Sequence, residues 1–138
     1  MKEMEVVCGV LQRGERVFIA KRKSAHADGV WEFPGGKVEE KESREDAVVR
    51  ELAEELHVQA NVDCYLTTIT DEQEGVFLRV HAYLCHSEEL PHALCAHSEG
   101  RWVNGEELND YAFQPADAAI IRQVQEVLSC LKEQTRSK

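Results

Sequence analysis

No stretch of this chain approaches about eighteen consecutive apolar residues, so no segment is built to cross a bilayer as a helix. The opening MKEMEVVCGVL has a short apolar run and no small-residue cleavage site, which argues against a secretory leader and makes a cytoplasmic protein the expectation. Cysteine is sparse and poorly spaced for chemistry: Cys8, Cys64, Cys85, Cys95 and Cys130 include no CxxC pair. An odd number without paired spacing suggests neither a disulfide framework nor a zinc site. Cys8 and Cys85 fall in strand-like apolar runs, where a structural thiol is expected. Positive charge is also short. Sixteen basic residues face 26 acidic ones, and a formal charge of −10 opposes adhesion to nucleic acid or anionic membrane. An anionic substrate would therefore need a local cation, which clustered carboxylates can recruit. Internal repeats, low-complexity tracts and linkers are missing too. The 138 residues, 43% of them hydrophobic, are expected to form one domain over residues 1–138, as a monomer or homodimer.

Hydrophobic periodicity divides the chain into elements. Val6 to Leu11 and Arg16 to Ala20 read as a β-hairpin turning at Gly14. Lys21 to Val38, with Gly29, Pro34, Gly35 and Gly36, reads as an irregular functional loop. Ser43, followed three positions later by Asp46, resembles a capping box, and Val49, Leu52, Ala53 and Leu56 supply the apolar stripe of a helix ending near Leu56. Val62 to Thr70 and Val76 to Cys85 read as two long strands joined through DEQEG. Arg101 to Val103 suggests a short strand and GEELND a short helix or turn. Pro115 opens a last helix to about Lys132, with a stripe of Ile120, Ile121, Val124, Val127, Leu128 and Leu131. Only TRSK looks disordered. The expected class is α+β: a mixed central sheet flanked by helices, in layers.

The helix after Ser43 carries the chemistry. At about 100° per residue, Glu51, Glu54 and Glu55 share an arc roughly 100° wide, leaving the other side apolar. A single glutamate there would be an ordinary solvated charge. Three carboxylates this close repel unless a cation intervenes, and hard oxygen ligands suit magnesium or manganese.

From Gly36 to Val58 the chain reads GKVEEKESREDAVVRELAEELHV and resembles the Nudix family signature, G-x5-E-x7-R-E-U-x-E-E-x-G-U with U aliphatic. Gly36, Glu42, Arg50, Glu51, Leu52, Glu54, Glu55 and Val58 match in register, while His57 stands where the family usually has glycine. One glycine and five fixed charges coincide by chance on the order of once per ten million start points, so the joint pattern overrides the bland reading of each residue. The resemblance implies an α/β/α sandwich and hydrolysis of a phosphoanhydride bond with magnesium, manganese being a possible substitute. It implies that Glu51, Glu54, Glu55 and a carbonyl of Gly35 or Gly36 bind metal, that Arg50 holds the glutamates, and that Glu51 accepts a proton from water. Glu99 in HSEGRW resembles an acidic residue that many members bring from a loop as an extra ligand or base; an ordinary surface charge is an equal alternative.

FIAKRKSAHADGVWEFPGGK and AFQPADAAII resemble the MutT-type branch, which removes oxidised nucleotides such as 8-oxo-dGTP. That likeness places Arg22 and His26 near the nucleotide, Glu32, Phe33, Pro34 and Gly35 along its pocket, and Asp117 on the base edge. The prototype has asparagine at this last place, which both donates and accepts, whereas an ionised aspartate only accepts. Aspartate suits the amino groups of cytosine or adenine, or the N1–H and N2 edge of guanine, and could donate only if burial kept it protonated. Cleavage of a modified or oxidised nucleoside triphosphate to monophosphate and pyrophosphate is therefore the first expectation. A CTP or 5-substituted dCTP pyrophosphohydrolase is the alternative. A non-catalytic nucleotide-binding module would be expected to lose the signature acids that this chain keeps.

Overall fold

The computed structural model describes residues 2–23 and 29–136; His26, expected near the nucleotide, lies outside the described residues. Strands β1 (Lys2–Arg13) and β2 (Arg16–Arg22) form the expected hairpin, but only Gln12 with Val17 and Arg13 with Arg16 pair across it. Beyond that point the strands part. β1 runs antiparallel to β4 (Gly35–Lys37) and parallel to β6 (Val76–His86), which in turn pairs antiparallel with β5 (Asn61–Gln73). β2 pairs antiparallel with β3 (Trp31–Glu32) and β7 (His97–Asn104).

The result is the expected mixed sheet with a helix on each face. Alternation along β1 sends Val7 and Leu11 to the face covered by α1 (Arg44–Leu56), and Cys8 and Val10 to the face covered by α2 (Ala118–Arg136). In β2, Phe18 and Ala20 join the first core, Val17 and Ile19 the second. Both faces of these strands are dry, so their sequences read as nearly continuous apolar runs, as strands buried on both sides do. Burial also holds the thiols of Cys8 and Cys85 above their ordinary range, Cys85 up to about 12, which fits structural cysteines.

Several boundaries differ from the expectation. The segment from Lys21 to Val38 is not wholly irregular: it contains β3 and β4, each too short to show a two-residue period. β7 begins at His97, so Glu99 lies on a strand and not in a loop. Pro115 occupies a single 3-10 turn, Pro115–Asp117, and α2 begins at Ala118 and continues through Arg136, including Thr135 and Arg136 of the tail expected to be disordered.

α1 starts as expected, with the Ser43 hydroxyl accepting from the Asp46 N–H at 3.1 Å. Its buried stripe is rotated: Ala47, Val48, Leu52 and Leu56 face the sheet, while Ala53 is exposed. The helix ends at His57 in a left-handed conformation, φ 55° and ψ 45°, with its N–H on the Ala53 carbonyl. The departure from glycine therefore leaves the turn intact, at a backbone cost of about 1–2 kcal/mol for a residue with a Cβ. His57 is exposed, and its ring meets Cys95 Sγ at 3.0 Å.

Replacing His57 by glycine should relieve that strain and lose the exposed Cys95 contact together with an edge-on contact to the His92 ring, centroids 5.9 Å apart. The expected gain is about 0.5–1 kcal/mol after the larger unfolded-state entropy of glycine is subtracted, read as a higher denaturation midpoint. A lower midpoint would mean that the Cys95 and His92 contacts outweigh the backbone strain.

Candidate active site

The rotation of α1 follows from two close approaches. A Cβ on Gly9 of β1 would lie 2.8 Å from Leu52 Cδ1 and 3.0 Å from Val48 Cγ1, so this glycine lets the helix settle directly on the strand. A Cβ on Gly36 of β4 would lie 2.6 Å from the Glu51 carboxyl carbon. The signature glycine thus clears the space that the Glu51 carboxylate occupies. With the helix seated this way, Glu51 and Glu55 turn toward the sheet edge, half-buried, and Glu54 stays at the surface, its side chain 60% exposed.

Arg50 binds the acids to one another. Its Nε donates to Glu42 at 2.8 Å, Nη2 to the other Glu42 oxygen at 3.0 Å and to the Lys37 carbonyl at 2.9 Å. Nη1 donates to Glu51 at 2.7 Å and Glu54 at 3.3 Å, and lies 3.7 Å from Glu39. The fork toward Glu42 is bidentate, geometry that a lysine cannot supply. The Glu42 carboxyl is held below its ordinary range, first by this guanidinium and then by the Glu39 N–H.

Glu55 has the opposite environment. Burial pushes its carboxyl up to about 8, and neighbouring Glu51 and Glu32 push in the same direction. One of its oxygens, Oε2, is buried without a hydrogen-bond partner. Glu32 is held through Oε1 by Arg22 Nε at 2.8 Å and through Oε2 by His97 Nε2 at 2.8 Å, and His97 Nε2 lies 3.9 Å from Glu55 Oε1. Among the described residues, Glu32, Glu55 and His97 are the trio whose donor atoms all lie within 4.8 Å of one another. A crowded, part-buried carboxylate with an unmatched oxygen fits a divalent cation, because such an ion would replace mutual repulsion with attraction.

Glu32 and Gly36, the neighbours of Glu55 and Glu51, open onto a cavity of about 400 Å³. Arg22, Glu32, Phe33, Gly35, Gly36 and Asp117 all line it, which brings most of the expected nucleotide-binding residues to one wall. Pro34 is buried, and its carbonyl accepts from the Gly9 N–H at 2.8 Å, a contact that fastens the loop to β1. Phe33 stacks against Phe113 with ring centroids 5.5 Å apart, next to the segment that carries Asp117. Burial raises the Asp117 carboxyl to about 6, helped by Glu32 and by Asp71 of β5 and opposed by Arg22. Glu99 points elsewhere, pairing with Arg101 at 2.9 Å and Lys21 at 3.8 Å.

Two residues of this region escaped the sequence reading. Asp71 sat in a stretch that signalled only a turn. His97 lay in HSEGRW, where attention went to Glu99; only the register of β7 on β2, which sets His97 across from Arg22, reveals its place.

The chain is also similar to known proteins over most of its length. The chain is 38% identical over 125 residues to the CTP pyrophosphohydrolase of Escherichia coli strain K12, covering 88% of this chain and 90% of that protein. It is 38% identical over 73 residues to the 8-oxo-dGTP diphosphatase of Proteus vulgaris, covering 51% of this chain and 65% of that one. Among solved structures, the E. coli ORF135 protein superposes with a TM-score of 0.78 at 34% identity over 94% of both chains. The MutT NUDIX hydrolase of Burkholderia pseudomallei superposes with a TM-score of 0.72 at 25% identity, covering 92% of this chain and 99% of that one. Residues 1–124 match the NUDIX domain, and the chain belongs to that family as a Nudix hydrolase.

Proposed function

We propose that this hydrolase cleaves a nucleoside triphosphate to the monophosphate and pyrophosphate with the help of a divalent cation, magnesium in the first instance. The observation that carries the reading is adjacency: Gly36, which lies against the Glu51 carboxylate, and Glu32, linked through His97 to Glu55, both line a cavity of about 400 Å³, within the usual size for a small-molecule site, with Asp117 on its wall. Glu51, Glu54 and Glu55, with a carbonyl of Gly35 or Gly36, would hold the cation. Bound there, it would neutralise charge on the phosphates and ease the deprotonation of water. Glu51 is the proposed acceptor of that proton, and Arg50 keeps it in place. Attack on the β-phosphorus breaks its bond to the oxygen of the α-phosphate, and the monophosphate leaves with that oxygen.

Base preference turns on Asp117. Ionised, it offers only acceptors and, with Asp71 nearby, suits an amino-bearing base such as cytosine. The long match to a CTP pyrophosphohydrolase supports this reading. Protonated, Asp117 gains a donor beside an acceptor, the pattern that the N7–H and O6 edge of 8-oxoguanine requires. The matches to 8-oxo-dGTP diphosphatases support that second reading.

A nucleotide panel tests the reaction: pyrophosphate should appear from CTP, 5-substituted dCTP or 8-oxo-dGTP with magnesium, and disappear with excess chelator. Monophosphate formed at full rate in chelator would overturn it. Glu51→Gln keeps the size of the side chain but removes its charge, so kcat should fall by about two to four orders of magnitude with little change in stability. An unchanged kcat would exclude Glu51 as the proton acceptor.

Asp117→Asn should raise the ratio of kcat/KM for 8-oxo-dGTP over CTP by an amount worth about 1–3 kcal/mol. Because the Asp117 carboxyl titrates near about 6, the wild-type ratio should rise as pH falls through that value, where the acid gains its proton. The asparagine variant should show no such dependence. Ratios that neither the substitution nor pH alters would remove Asp117 from base recognition.

A further inference from the structure

We propose that His97, with Glu32 and Glu55, forms a mixed nitrogen and oxygen site for a first-row transition dication, of the manganese, cobalt or zinc class. The site shares Glu55 with the cation site of the proposed reaction but does not depend on which nucleotide is cleaved.

Geometry comes first. His97 Nε2 is 2.8 Å from Glu32 Oε2 and 3.9 Å from Glu55 Oε1, and one donor atom from each residue lies within 4.8 Å of the others. Ligands about 2.1 Å from a common ion stand about 3.0 Å apart when adjacent and about 4.2 Å apart when opposite. The two measured separations are near or within that range. Arg22 occupies the Oε1 side of Glu32 and leaves Oε2 turned toward the trio.

A second observation is independent of the distances. The sheet holds two buried histidines, His81 and His97, exposed by 2% and 3%. His81 is satisfied at both nitrogens, Nε2 by Glu5 at 2.8 Å and Nδ1 by Thr68 at 2.7 Å, as a structural histidine should be. His97 Nδ1 has no partner, and neither has the buried Oε2 of Glu55. His97 Nδ1 lies on the ring edge away from the trio, but the orphaned Glu55 oxygen belongs to the carboxylate that faces His97 Nε2, and a buried carboxylate oxygen left unmatched there indicates a missing positive partner.

Charge points the same way. Glu32, Glu55 and Glu51 press on one another, while the recorded ion pairs supply Arg22 to Glu32 and Arg50 to Glu51. Among the described residues, Glu55 pairs with His97 and with no lysine or arginine. The class of ion follows from the donors, because an imidazole nitrogen favours first-row transition ions over magnesium, which prefers oxygen throughout.

Manganese is the probe, added to the nucleotide-free protein. Pulsed electron paramagnetic resonance should show nitrogen coupling to bound manganese. Growth on ¹⁵N-histidine should convert the coupling from ¹⁴N to ¹⁵N in the wild-type chain, with no dependence on a variant folding. His97→Gln can still donate to Glu32 but lacks the imidazole, so it should lose the coupling and weaken manganese binding at least about tenfold, while magnesium binding changes less. His57→Gln/His92→Gln, altering the exposed histidines near Cys95, should keep the coupling. Wild-type manganese without histidine nitrogen coupling, or coupling that survives His97→Gln, would overturn the site. Pyrophosphate release with magnesium is read separately, so failure of the proposed reaction and failure of this site are distinguishable.

Discussion

One planar guanidinium, that of Arg50, donates to Glu42, Glu51, Glu54 and the Lys37 carbonyl. The acids it gathers come from both sides of the helix start, so it joins the β4 exit to α1 as well as neutralising charge. Without a fixed cation there, Glu42 and Glu51 would face each other half-buried, a costly arrangement for ionised carboxylates. The acids are thereby divided into a set anchored by Arg50 and a part-buried Glu55 that, among the described residues, faces His97, Glu32 and Glu51.

That division depends on how closely α1 lies on the sheet. Gly9 and Gly36 remove side-chain bulk at the two points where helix and strands meet, and the stripe that packs is Ala47, Val48, Leu52 and Leu56. A bulkier residue at either glycine would lift the helix or displace the Glu51 carboxylate, and the site would lose its geometry before the fold lost its core. On the opposite face, Ile120, Val124 and Leu128 of α2 complete the second core. The segment just before that helix carries Asp117 and is tied to β3 by the Trp31 N–H on the Ala112 carbonyl at 2.8 Å.

The cavity is acidic even by the standard of an acidic chain. Glu32, Asp71, Glu74 and Asp117 line it; Glu32 and Asp71 add to the rise at Asp117, and Arg22 is the cation that opposes it. In the proposed reaction an anionic nucleotide would meet this wall with Arg22 and Lys37 as its positive charges, so a bound cation would serve substrate binding as well as chemistry. The same crowding raises Glu55 and Asp117 for two reasons, burial and like charge, in the manner of functional acids.

Much of this was legible in the chain itself. The joint spacing of Gly36, Glu42, Arg50, Glu51, Glu54 and Glu55 carries the resemblance to the family, helical geometry groups Glu51, Glu54 and Glu55 on one arc, and the Ser43 cap and the β5 and β6 strands follow from local patterns. Local pattern failed where the outcome depended on partners distant in sequence. β3 and β4 are two and three residues long and exist because neighbouring strands offer them hydrogen bonds. Periodicity placed the apolar stripe one step away from the observed one, since it cannot know that Gly9 admits Leu52 and Val48. His97 is a polar residue in a polar stretch, and only the pairing of β7 with β2 buries it beside Glu32 and Glu55. The composition of the acidic helix was set by the sequence alone; which acids Arg50 neutralises, and which is left part-buried beside Glu32 and His97, was decided by the tertiary contacts that surround them.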